Sequence, residues 1–153
     1  MKSEIERKYL LNLADVPAVL NELEYADIEQ GYLLWNDEGG ESRLRRIGNQ
    51  HKLTIKKGKG IKRTEVEIDI SEEQYKLLWP LTEGKRLYKR RYYLNESNHM
   101  IEIDVYSGKA AGLVIAEVEF NDMIEYKTYI PPVWLGREIS EDESFRNRNL
   151  AVE

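Results

Sequence analysis

Hydrophobic and polar residues alternate along much of this chain. In SEIERKYLL, Ile5, Arg7 and Tyr9 point one way and Glu4, Glu6 and Lys8 the other, because successive side chains of a strand face opposite sides. The stretches EQGYLLW, SRLRRI, HKLTIKK, RTEVEIDI, KRLYKRRYYL, MIEIDVYSG and GLVIAEVEF also read as strands, which makes about eight in all. The connections NDEGGE, GNQ and GKGI are of hairpin length, so the sheet is expected to be mainly antiparallel. Four short helices are expected between and after the strands. DVPAVLNEL has Asp15 as N-cap and Pro17 early in its first turn, and SEEQYKLLW opens on a Ser71–Gln74 capping box. NDMIEYKTYI is stopped by Pro131 and Pro132, and SEDESFRNRNLA opens on a second capping box, Ser140 and Glu143. No repeat, low-complexity tract or linker interrupts the chain, so residues 1–153 are expected to form a single domain.

Sorting each strand by face brings out the unusual feature. One face carries Arg43 and Arg45, Lys52 and Lys56, or Lys89 and Arg91; on other strands it carries Glu65 and Glu67, Glu102 and Asp104, or Glu117 and Glu119. A single alternating strand usually shows only the wet side of an antiparallel sheet. Here the polar faces are almost wholly ionised, and the sign is largely sorted by strand. Eight strands suit a small barrel. If the apolar faces pack outward against helices, the charges line the bore, where ions must stay wet or be paired. The fold expected is therefore α+β: an eight-stranded antiparallel barrel, or tunnel, with a charged lumen and short helices outside.

Composition narrows the function. The chain is 33% charged and 41% hydrophobic with a net charge of −5, which argues against a general nucleic-acid binder. There is no Cys, so thiolate metal sites and thiol nucleophiles are excluded. No apolar run approaches membrane-spanning length, and a cytoplasmic protein without membrane or nucleic-acid partners is expected, as monomer or homodimer. There is no G-x-x-x-x-G-K-[ST] loop. His51 and His99 read as surface residues, and Trp35, Trp79 and Trp134 as packing residues.

Glu4 and Glu6 lie about 6.6 Å apart along one strand, a spacing that lets two carboxylates converge on a hard cation. Mg²⁺ or Mn²⁺ prefers such oxygen ligands, and Glu117 and Glu119 could add more from another strand. The Lys and Arg pairs suit phosphate oxygens. Basic and acidic pairs around one lumen therefore suit a polyanion accompanied by metal cations.

EIERKYL also resembles the E-x-E-x-K signature of the CYTH superfamily, the triphosphate tunnel metalloenzymes. QGYL, RLRR, LTIKKG, RTEVEIDI, LYKRRYYL, IEIDVYSG, IAEVEF, PPVWLGREIS and FRNRNLA resemble that family's successive blocks, in order. The chain is most similar to the small bacterial members that hydrolyse inorganic triphosphate. The resemblance implies that Glu4, Glu6 and Glu119 hold a catalytic Mg²⁺ or Mn²⁺ with Glu117 close by, and Asp104 is a further candidate ligand. It implies that Lys8, Arg43, Arg45, Lys52, Lys56, Lys89 and Arg91 hold phosphates, with Arg90 facing outward. The expected activity is hydrolysis of inorganic triphosphate, with nucleoside triphosphates as lesser substrates. The alternatives are a class IV adenylyl cyclase or thiamine triphosphatase in the same tunnel, or a non-catalytic polyphosphate-binding or nucleotide-binding module.

Overall fold

The computed structural model describes residues 2–59 and 62–152, without the side chains of Lys2, Ser3, Glu4 and Lys62. Eight strands form: β1 (Lys2–Leu10), β2 (Glu24–Trp35), β3 (Glu41–Ile47), β4 (Gln50–Lys57), β5 (Lys62–Asp69), β6 (Arg86–Glu96), β7 (His99–Ser107) and β8 (Val114–Glu119). They close into a barrel in the order β1-β5-β4-β3-β2-β6-β7-β8, every neighbour antiparallel. β1 makes the closure by dividing its length. Its first half pairs with β5 (Glu4 opposite Arg63) and its second half with β8 (Glu6 opposite Glu119). The β6–β7 hairpin turns on Ser97 and Asn98, both at positive φ, which matches the strong twist of the flanking strands. The expected GKGI turn lies partly outside the described residues.

The barrel is apolar on the outside where something covers it. Ile5, Tyr9, Ile101, Ile103, Ala116 and Val118 project from β1, β7 and β8 into a core completed by Phe120 and Leu135. α2 (Met123–Thr128) and the segment after it supply Met123, Tyr126, Tyr129 and Trp134 against this core. Arg7 ties these parts together. Its guanidinium donates to Glu138 Oε1 and Oε2 (2.7 and 3.1 Å) and to the Tyr129 carbonyl (3.1 Å), and it lies against the rings of Tyr9, Tyr126 and Tyr129. A second apolar cluster plugs one end of the bore. Tyr32, Leu87, Tyr106 and Ile115 share the inward face with the lumen charges, and Ala151 of α3 (Asn147–Ala151) and Ile139 pack onto them.

Four expectations need correcting. DVPAVLNEL is two separate 3₁₀ turns, Leu13–Asp15 and Leu20–Glu22, with Asn12 rather than Asp15 as the cap. The chain is extended at Val16 (ψ 127°), directly before Pro17 as the proline favours, and again at Val19 (ψ 113°), which breaks the helix. The Ser140–Glu143 box does not cap a helix. Ser140 Oγ instead accepts from the Lys8 amide (2.9 Å) and donates to Glu138, while Asp142 caps the 3₁₀ turn Glu143–Phe145. α2 ends at Thr128, before the two prolines. The outer face of β4–β5 is uncovered, with Ile55, Val66 and Ile68 about half exposed. The Ser71–Gln74 box does cap α1 (Glu72–Leu78) as expected. Among the described residues, no helix is long and apolar enough to cross a membrane.

α1 and the 3₁₀ turn behind it (Trp79–Thr82) sit on β2 because residue 31 has no side chain. A Cβ on Gly31 would lie 2.5 Å from Thr82 Cβ and 2.6 Å from Oγ1. Thr82 cannot swing aside, because its hydroxyl donates to the Trp79 carbonyl (2.7 Å) and accepts from Arg86 Nε (2.9 Å). Gly31→Ala is therefore expected to destabilise the protein by about 1–3 kcal/mol, read as a fall in melting temperature. An unchanged melting temperature would mean that this close approach is not needed.

Candidate active site

Alternation along the strands turns the charged faces inward, and strand order then sorts them around the ring. β7, β8, β1 and β5 are consecutive and contribute Glu102, Glu117, Glu119, Glu6, Glu65 and Glu67. β4, β3, β2 and β6 are consecutive and contribute Lys56, Arg43, Arg45 and Arg91. The bore is thus an acidic arc facing a basic arc across a cavity of about 220 Å³. Lys8 stands within the acidic arc, 3.8 Å from Glu6 and 4.0 Å from Glu117. Asn147, from the C-terminal α3, reaches the same cavity and accepts from the Tyr106 hydroxyl at 2.7 Å.

Opposite charges meet at the two seams between the arcs. At the β6–β7 seam, Arg91 makes a two-pronged bond to Asp104 (2.7 and 2.9 Å) and a further bond to Glu102 (3.2 Å). At the β4–β5 seam, Lys56 lies opposite Glu65, and Lys52 bonds Asp69 at 2.6 Å. Away from the seams, neighbours repel. Burial first, and then Arg43 and Arg91, pull Arg45 down to about 10, which leaves it charged at neutral pH. Burial raises the proton affinity of Glu102, and the adjacent Glu117 adds to the rise although Arg91 opposes it. Glu117 is held well below the usual carboxylate range. Burial works against this, but a hydrogen bond from Glu6 and the charges of Lys8 and Arg91 outweigh it.

No family model matches the chain. It is 38% identical to an inorganic triphosphatase of Nitrosomonas europaea over 98% of this chain and 97% of that protein. The chain belongs to the inorganic triphosphatases of the CYTH, or triphosphate tunnel, superfamily. It is also 32% identical to an inorganic triphosphatase of Acetivibrio thermocellus, over 98% of this chain and 94% of that one. The barrel superposes on a crystal structure of an inorganic triphosphatase with a TM-score of 0.73 at 36% identity, covering 100% of this chain and 97% of that one.

Within this triphosphate-tunnel barrel, the candidate residues fall into three groups. Glu6, Lys8, Arg43, Arg45, Lys56, Arg91, Glu117 and Glu119 line the bore together. Lys52, Lys89 and Asp104 do not line it. Lys52 is held at the end of its strand by Asp69. Lys89 has a fully buried side chain, 2.8 Å from Asp104, and Asp104 is itself only 2% exposed and engaged by Arg91. Glu4 lies on β1 opposite Arg63, and its side chain is outside the described residues. Arg90 faces outward as expected, bonded to Asp27 at 2.7 Å and lying over Tyr25. The sequence pattern alone assigns no role to Asn147 or Arg63. Arg63 reaches Glu6 Oε1 at 3.2 Å, and only its place at the head of the β5 acidic face hinted at this.

Among the described residues, no three carboxylates form a ready-made cation nest. The donor chemistry nevertheless fits a hard divalent cation. Glu6 and Glu119 are directly opposite across β1–β8, and Glu117 stands two residues from Glu119 on the same inward face. Carboxylates gathered on one face of a cavity need either protons or a cation among them.

The buried Lys89–Asp104–Arg91 group ties stability to pH. Burial against the positive charges of Arg91 and Arg45 pushes Lys89 down to about 7, although Asp104 opposes the shift. An unfolded lysine titrates near 10.4. Between about pH 7 and 10 the unfolded chain thus binds a proton that the folded chain does not, so stability should rise with pH across that window. Denaturant unfolding at pH 7, 8 and 9.5 should show this rise in the wild type, and Lys89→Met should lose it. Equal slopes in the two proteins would mean that Lys89 is charged throughout.

Proposed function

We propose that this chain is a divalent-metal-dependent hydrolase that splits inorganic triphosphate into diphosphate and phosphate, with nucleoside triphosphates as lesser substrates. Residues 1–153 act as one tunnel domain in this reading. Its main support is the opposition of a basic arc to an acidic arc across one cavity, in a chain that matches two inorganic triphosphatases over nearly its whole length.

A triphosphate carries several negative charges along a short chain, and the basic arc is matched to them. Arg43, Arg45 and Arg91 present guanidinium edges that bind phosphate oxygens in pairs, and Lys56 adds a point charge. Asp104 and Lys89 act behind this surface. Asp104 fixes the plane of Arg91, so the guanidinium is already oriented before substrate arrives and reorganises little during the reaction. Glu4, Glu6, Glu117 and Glu119 hold Mg²⁺ or Mn²⁺ on the acidic side. The bound cation supplies charge neutralisation and Lewis-acid polarisation of the phosphoryl oxygens. Lys8, set within the acidic arc beside Glu6 and Glu117, contacts the phosphate held beside these carboxylates. The apolar plug of Tyr32, Leu87, Tyr106 and Ile115 closes one end and keeps bulk water from screening the arcs.

The deciding experiment is phosphate release from triphosphate, diphosphate, ATP and thiamine triphosphate with Mg²⁺ and then Mn²⁺, with cyclic AMP assayed alongside. Triphosphate should be hydrolysed fastest, and a chelator should abolish turnover. Glu6→Gln and Glu119→Gln should each lower turnover by about 100-fold or more, about 3 kcal/mol of transition-state stabilisation, without loss of melting temperature, since removing one of several crowded carboxylates relieves repulsion. Arg91→Ala should raise the KM for triphosphate while Arg90→Ala, on the outer face of the same strand, leaves it unchanged. Near-normal turnover in Glu6→Gln, or equal effects at positions 90 and 91, would overturn the reading.

A further inference from the structure

The second half of β1 has β8 along one edge, and β5 covers the other edge only as far as Ile5. Residues 136–140 take over that edge. The Lys8 carbonyl accepts from the Ile139 amide (2.8 Å), the Leu10 amide donates to the Arg137 carbonyl (2.9 Å), and the Leu10 carbonyl accepts from the Gly136 amide (2.9 Å). The approach is close enough to call for glycine, since a Cβ at residue 136 would lie 2.5 Å from the Leu10 carbonyl oxygen. After Ile139 the chain turns away, with the Asp142 amide donating to the Ile139 carbonyl (3.0 Å). A side chain then serves Lys8 in place of a strand carbonyl: the Lys8 amide donates to Ser140 Oγ at 2.9 Å.

That hydroxyl is itself held. It donates to Glu138 Oε2 at 2.7 Å, and Glu138 receives the Arg7 guanidinium on both oxygens (2.7 and 3.1 Å). The bond from Arg7 first, with that from Ser140 adding to it against the cost of burial, holds the Glu138 carboxyl below its usual range and so keeps it an acceptor. Arg7 directly precedes Lys8. The bonds therefore run from the Arg7 side chain through Glu138 and Ser140 back to the Lys8 amide, and they pin the one peptide at which β1 sends Arg7 outward and Lys8 inward. Ser140 also lines, together with Glu6, Lys8 and Arg146, a cavity of about 210 Å³ that shares Glu6 and Lys8 with the bore. Alternation alone decides that Lys8 points inward. It does not decide where along and across the wall its ammonium stands, and a misplacement of about 1 Å can cost about 100-fold in rate.

We infer that Ser140 is a positioning residue: with Glu138 and Arg7 it fixes the β1 backbone at Lys8, and so sets where the Lys8 ammonium and the Glu6 carboxylate stand in the bore. Its effect on turnover rests on the hydrolase reading above; the positioning itself does not.

The test compares wild type, Ser140→Ala and Ser140→Thr by steady-state hydrolysis of triphosphate and by hydrogen exchange at the Lys8 amide. Ser140→Ala should lower kcat by about tenfold or more with KM changed by less than about threefold, and Ser140→Thr, which keeps the hydroxyl, should recover most of the loss. Exchange at the Lys8 amide should be about tenfold faster or more in Ser140→Ala than in the other two. A wild-type kcat in Ser140→Ala would overturn the inference, as would a loss that Ser140→Thr does not relieve. If Ser140→Ala does not fold, Glu138→Gln decides, because it keeps an oxygen for the Ser140 hydroxyl but loses the charged pair with Arg7. It should lower kcat by about threefold or more, and an unchanged kcat there counts against the positioning. The exchange measurement needs no turnover. A chain that splits no triphosphate, yet whose Lys8 amide is opened by Ser140→Ala and closed again by Ser140→Thr, would sink the hydrolase reading alone; unchanged exchange would sink the positioning whatever the activity.

Discussion

The structure depends on how like charges are gathered inside a closed ring. Had acidic and basic strands alternated around the barrel, each lumen charge would have been neutralised by its neighbour. The order β7-β8-β1-β5 followed by β4-β3-β2-β6 confines such neutralisation largely to two seams. Lys8 and Arg63 are exceptions, set among the acids, and Glu41 is another, set on β3 opposite Lys56. Elsewhere each arc keeps a field of one sign in a space where water screens poorly. A polyanion on one side with a cation on the other satisfies both arcs at once.

The rest of the fold follows from this arrangement. With the inner face given to ions, apolar side chains have nowhere to go but out, so the main core lies between the barrel wall and α2 with its following segment. One end of the bore still needs sealing, and the strands manage it by ending their inward rows in Tyr32, Leu87, Tyr106 and Ile115. The chain's last described residues finish that seal and also send Asn147 and Arg146 toward the charged cavities. Arg7 joins the outer core to the segment that carries Glu138, and the same segment places Ser140 on the Lys8 amide. The strand bearing Glu6 and Lys8 is therefore gripped from outside by groups far away in sequence.

Strands, barrel and lumen face were legible because alternation has a period of two and states directly which residues share a side. That is why Arg43, Arg45, Lys56, Arg91, Glu117 and Glu119 could be placed on the lumen face. Depth along the bore was not legible. Lys89 and Arg91 share a face, but one is sealed behind Asp104 and the other meets the cavity, and this depends on how far each lies from the apolar plug. The Ser140–Glu143 pattern matched a helix cap, yet Ser140 serves β1, 132 positions away in sequence. Asn147 and Arg146 sit in a segment whose local sequence predicts only a helix, and their reach into the cavities is a tertiary fact.

The central claim is that one ligand chain lies against the basic arc while a divalent cation sits on the acidic one. A crystal structure with Mn²⁺ and a non-hydrolysable triphosphate analogue tests this directly, because manganese can be located by its anomalous scattering. The account predicts a manganese peak within coordination distance of the Glu6, Glu117 and Glu119 carboxylates, and phosphate density in contact with Arg43, Arg45 and Arg91. Manganese bound elsewhere, or analogue density outside the bore, would contradict it.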